Sequence, residues 1–180
     1  MESVIAARNA AQRTLCLAAM ELRLALENQS QTSAAEREQV EGKPWDLHAG
    51  NAELIDWLKH ETLWPQLSAL EKKLLTQKVG QWQEQDCLDI SWREEALGVI
   101  EWALQWRKDL LPFDEQYDHG TDTVELPVFK PVAQFVAQAQ MRPEQEILDA
   151  RDVAELWLWR ARTHQLQKEP NPPPLPPDWV

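Results

Sequence analysis

Glycine and cysteine are scarce in this sequence, with five glycines and two cysteines among 180 residues. Loops that cradle phosphate groups depend on glycine, and neither a GxGxxG nor a Walker A motif occurs, so a nucleotide site of that kind is disfavoured. Cys16 and Cys87 form no CxxC pair, and we expect both to be reduced thiols. Few glycines together with many Ala, Leu, Glu and Gln favour helix.

Long apolar runs and an excess of basic residues are also absent. The longest apolar run, residues 15–20, is far too short to span a bilayer, and the first residues lack the pattern of a secretory signal. Eighteen basic residues face 30 acidic ones, which gives a net charge of −12. This charge disfavours nucleic acid and anionic membranes as partners and allows a basic protein partner. We expect a cytoplasmic protein.

Tryptophan is unusually frequent, with ten residues, and the hydrophobic fraction is 43%. Because each tryptophan can bury a large surface, the protein should have an aromatic-rich core, or such a core and a contact surface. A chain of 180 residues is long enough to bury one sizeable core.

Apolar spacing predicts an all-α fold, a single-domain bundle of about six irregularly packed helices with little or no sheet. The first helix is predicted over residues 3–28, and another begins at an N-cap, Asn51. Later helices are expected to begin at Pro131 and at Pro143, followed by a last long helix to about residue 167. The Thr and Val residues at 123–128 are compatible with a short extended segment. We predict one domain over residues 1–168 and a proline-rich tail over 169–180 that is extended or disordered.

Capping boxes mark two further helix starts. Ser68 and Glu71 have the required spacing, and so have Ser91 and Glu94. The second pair opens the stretch "SWREEALGVIEWALQWRKDLL" at 91–111, whose apolar arc is wide enough to predict a helix buried on most sides. Within this stretch, Arg93 and Glu101 have no evident structural role.

Metal motifs are incomplete. "HETLW" at 60–64 lacks the second histidine of a zinc-protease helix. "DEQYDHGTDTVE" at 114–125 places oxygen donors at calcium-loop positions, with His119 where the sharp turn needs glycine, so a solvated acidic loop is favoured over a calcium site. The carboxylates of this near-miss are Asp114, Asp118, Asp122 and Glu125. We therefore expect no metal and no cofactor.

Three blocks, "RTLCLAAMELRLALE" (13–27), "SWREEALGVIEWAL" (91–104) and "MRPEQEILDARDVAELWLW" (141–159), resemble the signature blocks of a bacterial family of uncharacterised proteins, domain of unknown function 4272. The resemblance implies a helical, soluble bacterial protein and brings no established activity. It places the recurrent polar positions of the family, with one tryptophan, at Arg93, Glu94, Arg142, Glu146, Asp149 and Trp102. Leu156 and Leu158 stand where the family often has Arg and His.

Two functions remain open at this point. The first is a non-catalytic interaction protein, either an acidic adaptor or an immunity-like protein that masks a basic partner, with tryptophans as interface anchors. The alternative is a small-molecule-binding domain or an enzyme with a polar pocket. The residues of that pocket would be Arg93, Glu101, Arg142, Glu146 and Asp149, flanked by Trp92 and Trp102. A buried salt-bridge network would use the same charges without forming a site.

Overall fold

The computed structural model describes residues 2–31, 46–113, 115, 117 and 124–168. These residues form helices and connecting turns, with no strand among them, which confirms the all-α prediction. The α-helices, numbered here in chain order, are α1 (Glu2–Ser30), α2 (Leu47–His60), α3 (Ala69–Thr76), α4 (Glu84–Ser91), α5 (Arg93–Ala103), α6 (Ala133–Gln138) and α7 (Glu144–Gln167). A short 3-10 helix, Trp64–Gln66, follows α2.

Helix α1 is the central element of the fold. Residues 14–20 are all buried, because α2 to α6 and the 3-10 helix pack around it. Leu15, Ala19 and Met20 belong to the largest core cluster, which also includes Leu58 from α2 and Leu75 from α3. Cys16 is fully buried in the same cluster, as its place in the helical pattern predicts. A helix covered on so many sides reads as nearly continuous apolar sequence.

The starts of α2 and α3 test the capping predictions. Helix α2 begins earlier than predicted: Asp46 is its N-cap and accepts hydrogen bonds from the amides of His48 and Ala49. Asn51 is instead a buried residue inside the helix, whose Nδ2 donates to the carbonyl of Leu75 at 3.0 Å. The prediction of an Asn51 cap was therefore wrong, since the same amide stabilises a contact between two helices.

Helix α3 begins as predicted. The Ser68 hydroxyl accepts from the Glu71 amide at 3.2 Å, and a Glu71 carboxylate oxygen accepts from the Ser68 amide at 2.7 Å. Both halves of the capping box are thus present. This cap satisfies two amide donors at the start of the helix that have no partner within it.

The second predicted capping box, Ser91 with Glu94, does not form. Ser91 is the last residue of α4, and its hydroxyl donates back to the carbonyl of Leu88 at 2.8 Å. Helix α5 starts at Arg93 without a side-chain cap, because Trp92 continues the chain with nearly helical dihedrals of −63° and −13°. The helix ends at Ala103, where Gln105 takes a positive φ of 63°.

The later helices differ from the prediction mainly in their bounds. Helix α6 covers Ala133–Gln138, shorter than the span expected after Pro131. The two helices predicted after Pro143 are one continuous helix, α7, with Pro143 at its N-cap. Residues 124–127 are irregular rather than extended in a sheet, and Thr123 lies outside the described residues, as do residues 169–180.

The chain forms two compact units. The first comprises residues 1–111 and 116–141 and contains α1 to α6; the second comprises residues 112–115 and 142–180 and contains α7. The single domain over residues 1–168 stays a prediction. Across the part of the chain that the structure describes, no helix combines the length and the apolarity that crossing a membrane requires.

Candidate interaction surface

Arg93 contacts a carboxylate that the sequence pattern did not connect to it. Glu71 of α3 is completely buried and accepts from Arg13 through both oxygens, at 2.9 and 2.6 Å. Arg93 of α5 donates to Glu71 Oε1 as well. Burial opposes the charge of Glu71, but the hydrogen bonds from Arg13 and from the Ser68 amide outweigh it and lower the pKa of Glu71 to about 2. The carboxylate therefore ties α1, α3 and α5 together.

Glu101 lies in a second buried network. Its Oε2 accepts from Arg107 Nε at 2.8 Å and from the Tyr117 hydroxyl at 2.8 Å. Arg107 Nη2 also donates to the Tyr117 hydroxyl at 3.0 Å. Burial, reinforced by the Glu101 carboxylate, raises the pKa of Tyr117, so the phenol stays protonated and works as a donor. Here too the charge has a structural role.

These networks depend on three residues outside the predicted site: Glu71, which was predicted only as a helix cap, Arg107 and Tyr117. The sequence does contain a signal that Glu71 is buried. Glu71 lies four residues before Leu75, which is buried, and therefore shares the inner face of α3. Arg107 and Tyr117 follow helix α5 in irregular chain, where no periodic pattern indicates which side chain turns inward.

The remaining predicted polar residues lie in the second unit, with Glu146 and Asp149 on α7 and Arg142 just before it. Arg142 donates to Glu146 at 3.3 Å, and Gln145 donates to Asp149 at 2.8 Å. Both are contacts across one helical turn, which contribute little to stability when exposed. Arg93 and Glu101, in contrast, belong to the first unit. The predicted pocket would therefore need residues of both units, and the meeting of these side chains in one pocket stays a prediction.

Within the described ranges, no group of three or more His, Cys, Asp or Glu side chains is placed to hold a metal ion. Glu125 from the calcium-loop near-miss forms an exposed ion pair with Lys130 at 3.0 Å. Asp114, Asp118 and Asp122 lie outside the described residues.

The two tryptophans of the predicted site have opposite environments. Trp102 is buried with 9% of its surface exposed, whereas Trp92 is 65% exposed. The prediction that this stretch is buried on most sides was wrong for the face that carries Trp92. The opposite face of α4 and α5 is the buried one, where Ile90 and Leu97 are completely enclosed.

Trp92 is part of a continuous exposed apolar strip. Because the chain stays nearly helical through Trp92, residues at steps of four, four and three share one face. Leu88 and Val99 are 49% and 51% exposed, and Ala96 is also exposed. We call these four residues, Leu88, Trp92, Ala96 and Val99, the Trp92 strip.

The segment that carries the Trp92 strip is acidic. Residues 84–99 contain five acids and one base, a net charge of −4. The acids are Glu84, Asp86, Asp89, Glu94 and Glu95, and the base is Arg93, which is already bound to Glu71. At 100° per residue, Asp89 and Glu95 fall on either side of the strip. The surface therefore combines an apolar centre with a negative rim.

A second surface feature of the first unit is a groove of about 630 Å³ that polar and apolar residues line together. Arg8, Asn9 and Gln12 of α1 line one side of it, and His60 and Glu61 at the end of α2 line another. Glu61 Oε2 accepts from the amide of Val132 at 2.9 Å, and this hydrogen bond lowers the pKa of Glu61.

Fold and surface together define an all-helical protein. In its first unit, Arg93 and Glu101 form ion pairs that hold separate parts of the chain together. The surface of that unit carries an acid-rimmed apolar strip and a groove. The chain belongs to the family described as Domain of unknown function (DUF4272), whose model matches residues 2–180. No curated protein and no solved structure matches the chain.

Proposed function

We propose that this protein is a non-catalytic interaction protein that binds a basic, amphipathic helical segment of a protein partner on the Trp92 strip. The observation that carries the proposal is the 65% exposure of Trp92 in the middle of an apolar strip. Tryptophan is among the residues that contribute most at protein interfaces. A large exposed apolar patch with a polar rim is typical of an interaction site.

Charge selects the kind of partner. The strip lies in a segment of net charge −4 within a chain of net charge −12. Like charges across an interface are disfavoured, so a partner that places apolar side chains on Trp92 should carry Lys or Arg at its edges. An exposed strip of residues at steps of three and four matches the apolar face of such a helix.

A labelled model peptide tests this proposal. The probe is an 18-residue Leu/Lys peptide patterned as an amphipathic helix, and its binding to the full chain is measured by fluorescence anisotropy. Trp92→Ala should weaken binding about thirtyfold, corresponding to about 2 kcal/mol at an interface anchor. Binding should also weaken as salt is raised, because the rim attraction is screened.

Matched controls separate the strip from general attraction to an acidic protein. Leu88→Ala should weaken binding, whereas Leu70→Ala, which truncates a leucine of similar exposure on α3, should leave it unchanged. A peptide of the same composition with scrambled order should bind weakly. Equal binding of the scrambled peptide, or of the Trp92 and Leu88 variants, would contradict the proposal.

The groove beside Arg8 supports a second candidate function, the binding of a small carboxylate. Arg8, Asn9 and Gln12 offer donors on one side of a cavity large enough for a small ligand. Succinate and citrate serve as probes in thermal-shift measurements. Stabilisation of the wild-type chain that Arg8→Gln abolishes would support this candidate, and no stabilisation by either probe would remove it.

A further inference from the structure

Helix α7 presents an apolar surface that its own unit leaves largely uncovered. None of its 24 residues is buried. Val153, Leu156, Trp157 and Leu158 are each about half exposed, at 48%, 50%, 48% and 54%. Most of the stability of helices in proteins comes from packing of an apolar face, so a partner surface would stabilise this helix.

Seven apolar side chains of α7 share one face, whereas Leu148, Leu156, Trp159 and Leu166 lie outside it. At 100° per residue, the apolar residues of this face lie within an arc of roughly 140°. They are Ile147, Ala150, Val153, Ala154, Trp157, Leu158 and Ala161, and we call this set the α7 face. Between residues 147 and 161, no charged residue falls within this arc. Phe113, in the same unit, stacks on Trp157 with 5.7 Å between ring centres and covers part of it.

Charge along α7 is divided into two opposite halves. Residues 144–155 contain five acids and one base, which gives 1 − 5 = −4. Residues 156–168 contain three bases, Arg160, Arg162 and Lys168, and no acid, which gives +3. A helix with one negative and one positive half is complementary to itself when a second copy runs in the opposite direction.

We infer that two copies of this chain associate through antiparallel pairing of their α7 helices, with the α7 faces in contact. A twofold interface must be self-complementary, and the apolar centre with oppositely charged halves meets this requirement. Parallel pairing would place the two halves of charge −4 together and is disfavoured. Local charge thus favours a second copy even though the whole chain carries −12. The inference does not depend on the Trp92 strip, which lies in the other unit.

Sedimentation equilibrium of the full chain tests the association. The wild-type protein should change from one to two times 20.9 kDa as concentration rises. Val153→Glu and Leu158→Glu each place one carboxylate per chain, two per dimer, in the apolar contact and should raise the dimer dissociation constant at least tenfold. Gln145→Glu adds the same charge outside the arc and should leave the dimer intact. A wild-type monomer up to millimolar concentration overturns the inference.

Charge reversal tests the direction of pairing. Arg160→Glu with Arg162→Glu makes both halves negative and should weaken the dimer at least tenfold. Adding Glu144→Lys and Glu146→Lys brings residues 144–155 from −4 to 0, which removes the repulsion between the two halves and should recover part of the lost affinity. Failure of this fourfold variant to recover, or tighter association of the first variant, would overturn the antiparallel arrangement, because parallel pairing predicts relief of repulsion between the basic halves.

Discussion

Gly98 lies against a side chain that the local sequence does not reveal. A Cβ added to Gly98 would lie 2.6 Å from Cδ2 and 2.8 Å from Cε2 of Tyr117. The tyrosine ring thus packs directly on the backbone of α5, where its hydroxyl reaches Glu101. Inside a helix glycine is otherwise unfavourable, by about 1 kcal/mol relative to alanine.

Gly98→Ala should therefore lower the free energy of unfolding by about 1–2 kcal/mol, since the new methyl group displaces the Tyr117 ring. In a Tyr117→Ala background the obstruction is gone, and the same substitution should stabilise the protein through helix propensity. Urea denaturation of the four chains measures both effects. Stabilisation by Gly98→Ala in the wild-type background would show that the ring does not constrain this position.

At the scale of elements, Arg23 and Glu27 of α1 form hydrogen bonds to the turn that follows α3. Arg23 is completely buried, and its Nη2 donates to the carbonyls of Gln77 and Lys78, both at 3.3 Å. The same nitrogen lies 2.6 Å from Glu27 Oε1, and Glu27 Oε2 accepts from the Gly80 amide at 2.6 Å. Gly80 has a φ of 85°, a conformation that glycine adopts without strain.

Removing one member of this buried pair should cost more than removing the charge of both. Arg23→Met leaves the Glu27 carboxylate buried without its cation and should lower the free energy of unfolding by about 3 kcal/mol. Glu27→Gln in that background should recover part of the loss, because the uncompensated charge is removed. A double-mutant cycle by chemical denaturation gives the coupling. Additive effects of the two substitutions would contradict the predicted coupling between Arg23 and Glu27.

At the scale of the whole molecule, stability should depend on pH through Glu71. Its pKa falls from 4.5 to about 2 on folding, so the carboxylate stabilises the protein fully above pH 4.5. This contribution is lost as the pH falls from 4.5 towards 2. Glu71→Gln should destabilise the protein by about 3 kcal/mol at pH 7 and have little effect at pH 2. Glu53→Gln, at an exposed position on α2, is the matched control.

Glu21 should make stability depend on pH in the direction opposite to Glu71. Burial raises its pKa to about 8, with further contributions from Glu94 and Glu101, and its buried Oε1 accepts no hydrogen bond from the described residues. A pKa above the unfolded value of 4.5 means that stability is lost as the pH rises from 4.5 to 8. Glu21→Gln should stabilise the protein by about 2 kcal/mol at pH 9 and leave it unchanged at pH 4. Equal stability of the two proteins at pH 9 would show that Glu21 is solvated.

The sequence by itself determined the class of fold and several local features. Scarce glycine and apolar residues at steps of three and four produce helices, because both properties act within one or two turns. The Ser68–Glu71 capping box is local in the same sense and formed as predicted. The family also follows from the sequence, because ordered blocks extend over most of the chain.

Tertiary structure alone decided which apolar face of the 84–103 segment is covered and which charges meet. Trp92 and Trp102 both fit the apolar pattern, yet one is 65% and the other 9% exposed, because burial depends on whether another helix covers that side. Arg93 meets Glu71, 22 residues away in sequence. No periodic pattern encodes such a contact, since it arises when separate helices pack, and the same packing leaves the Trp92 strip exposed.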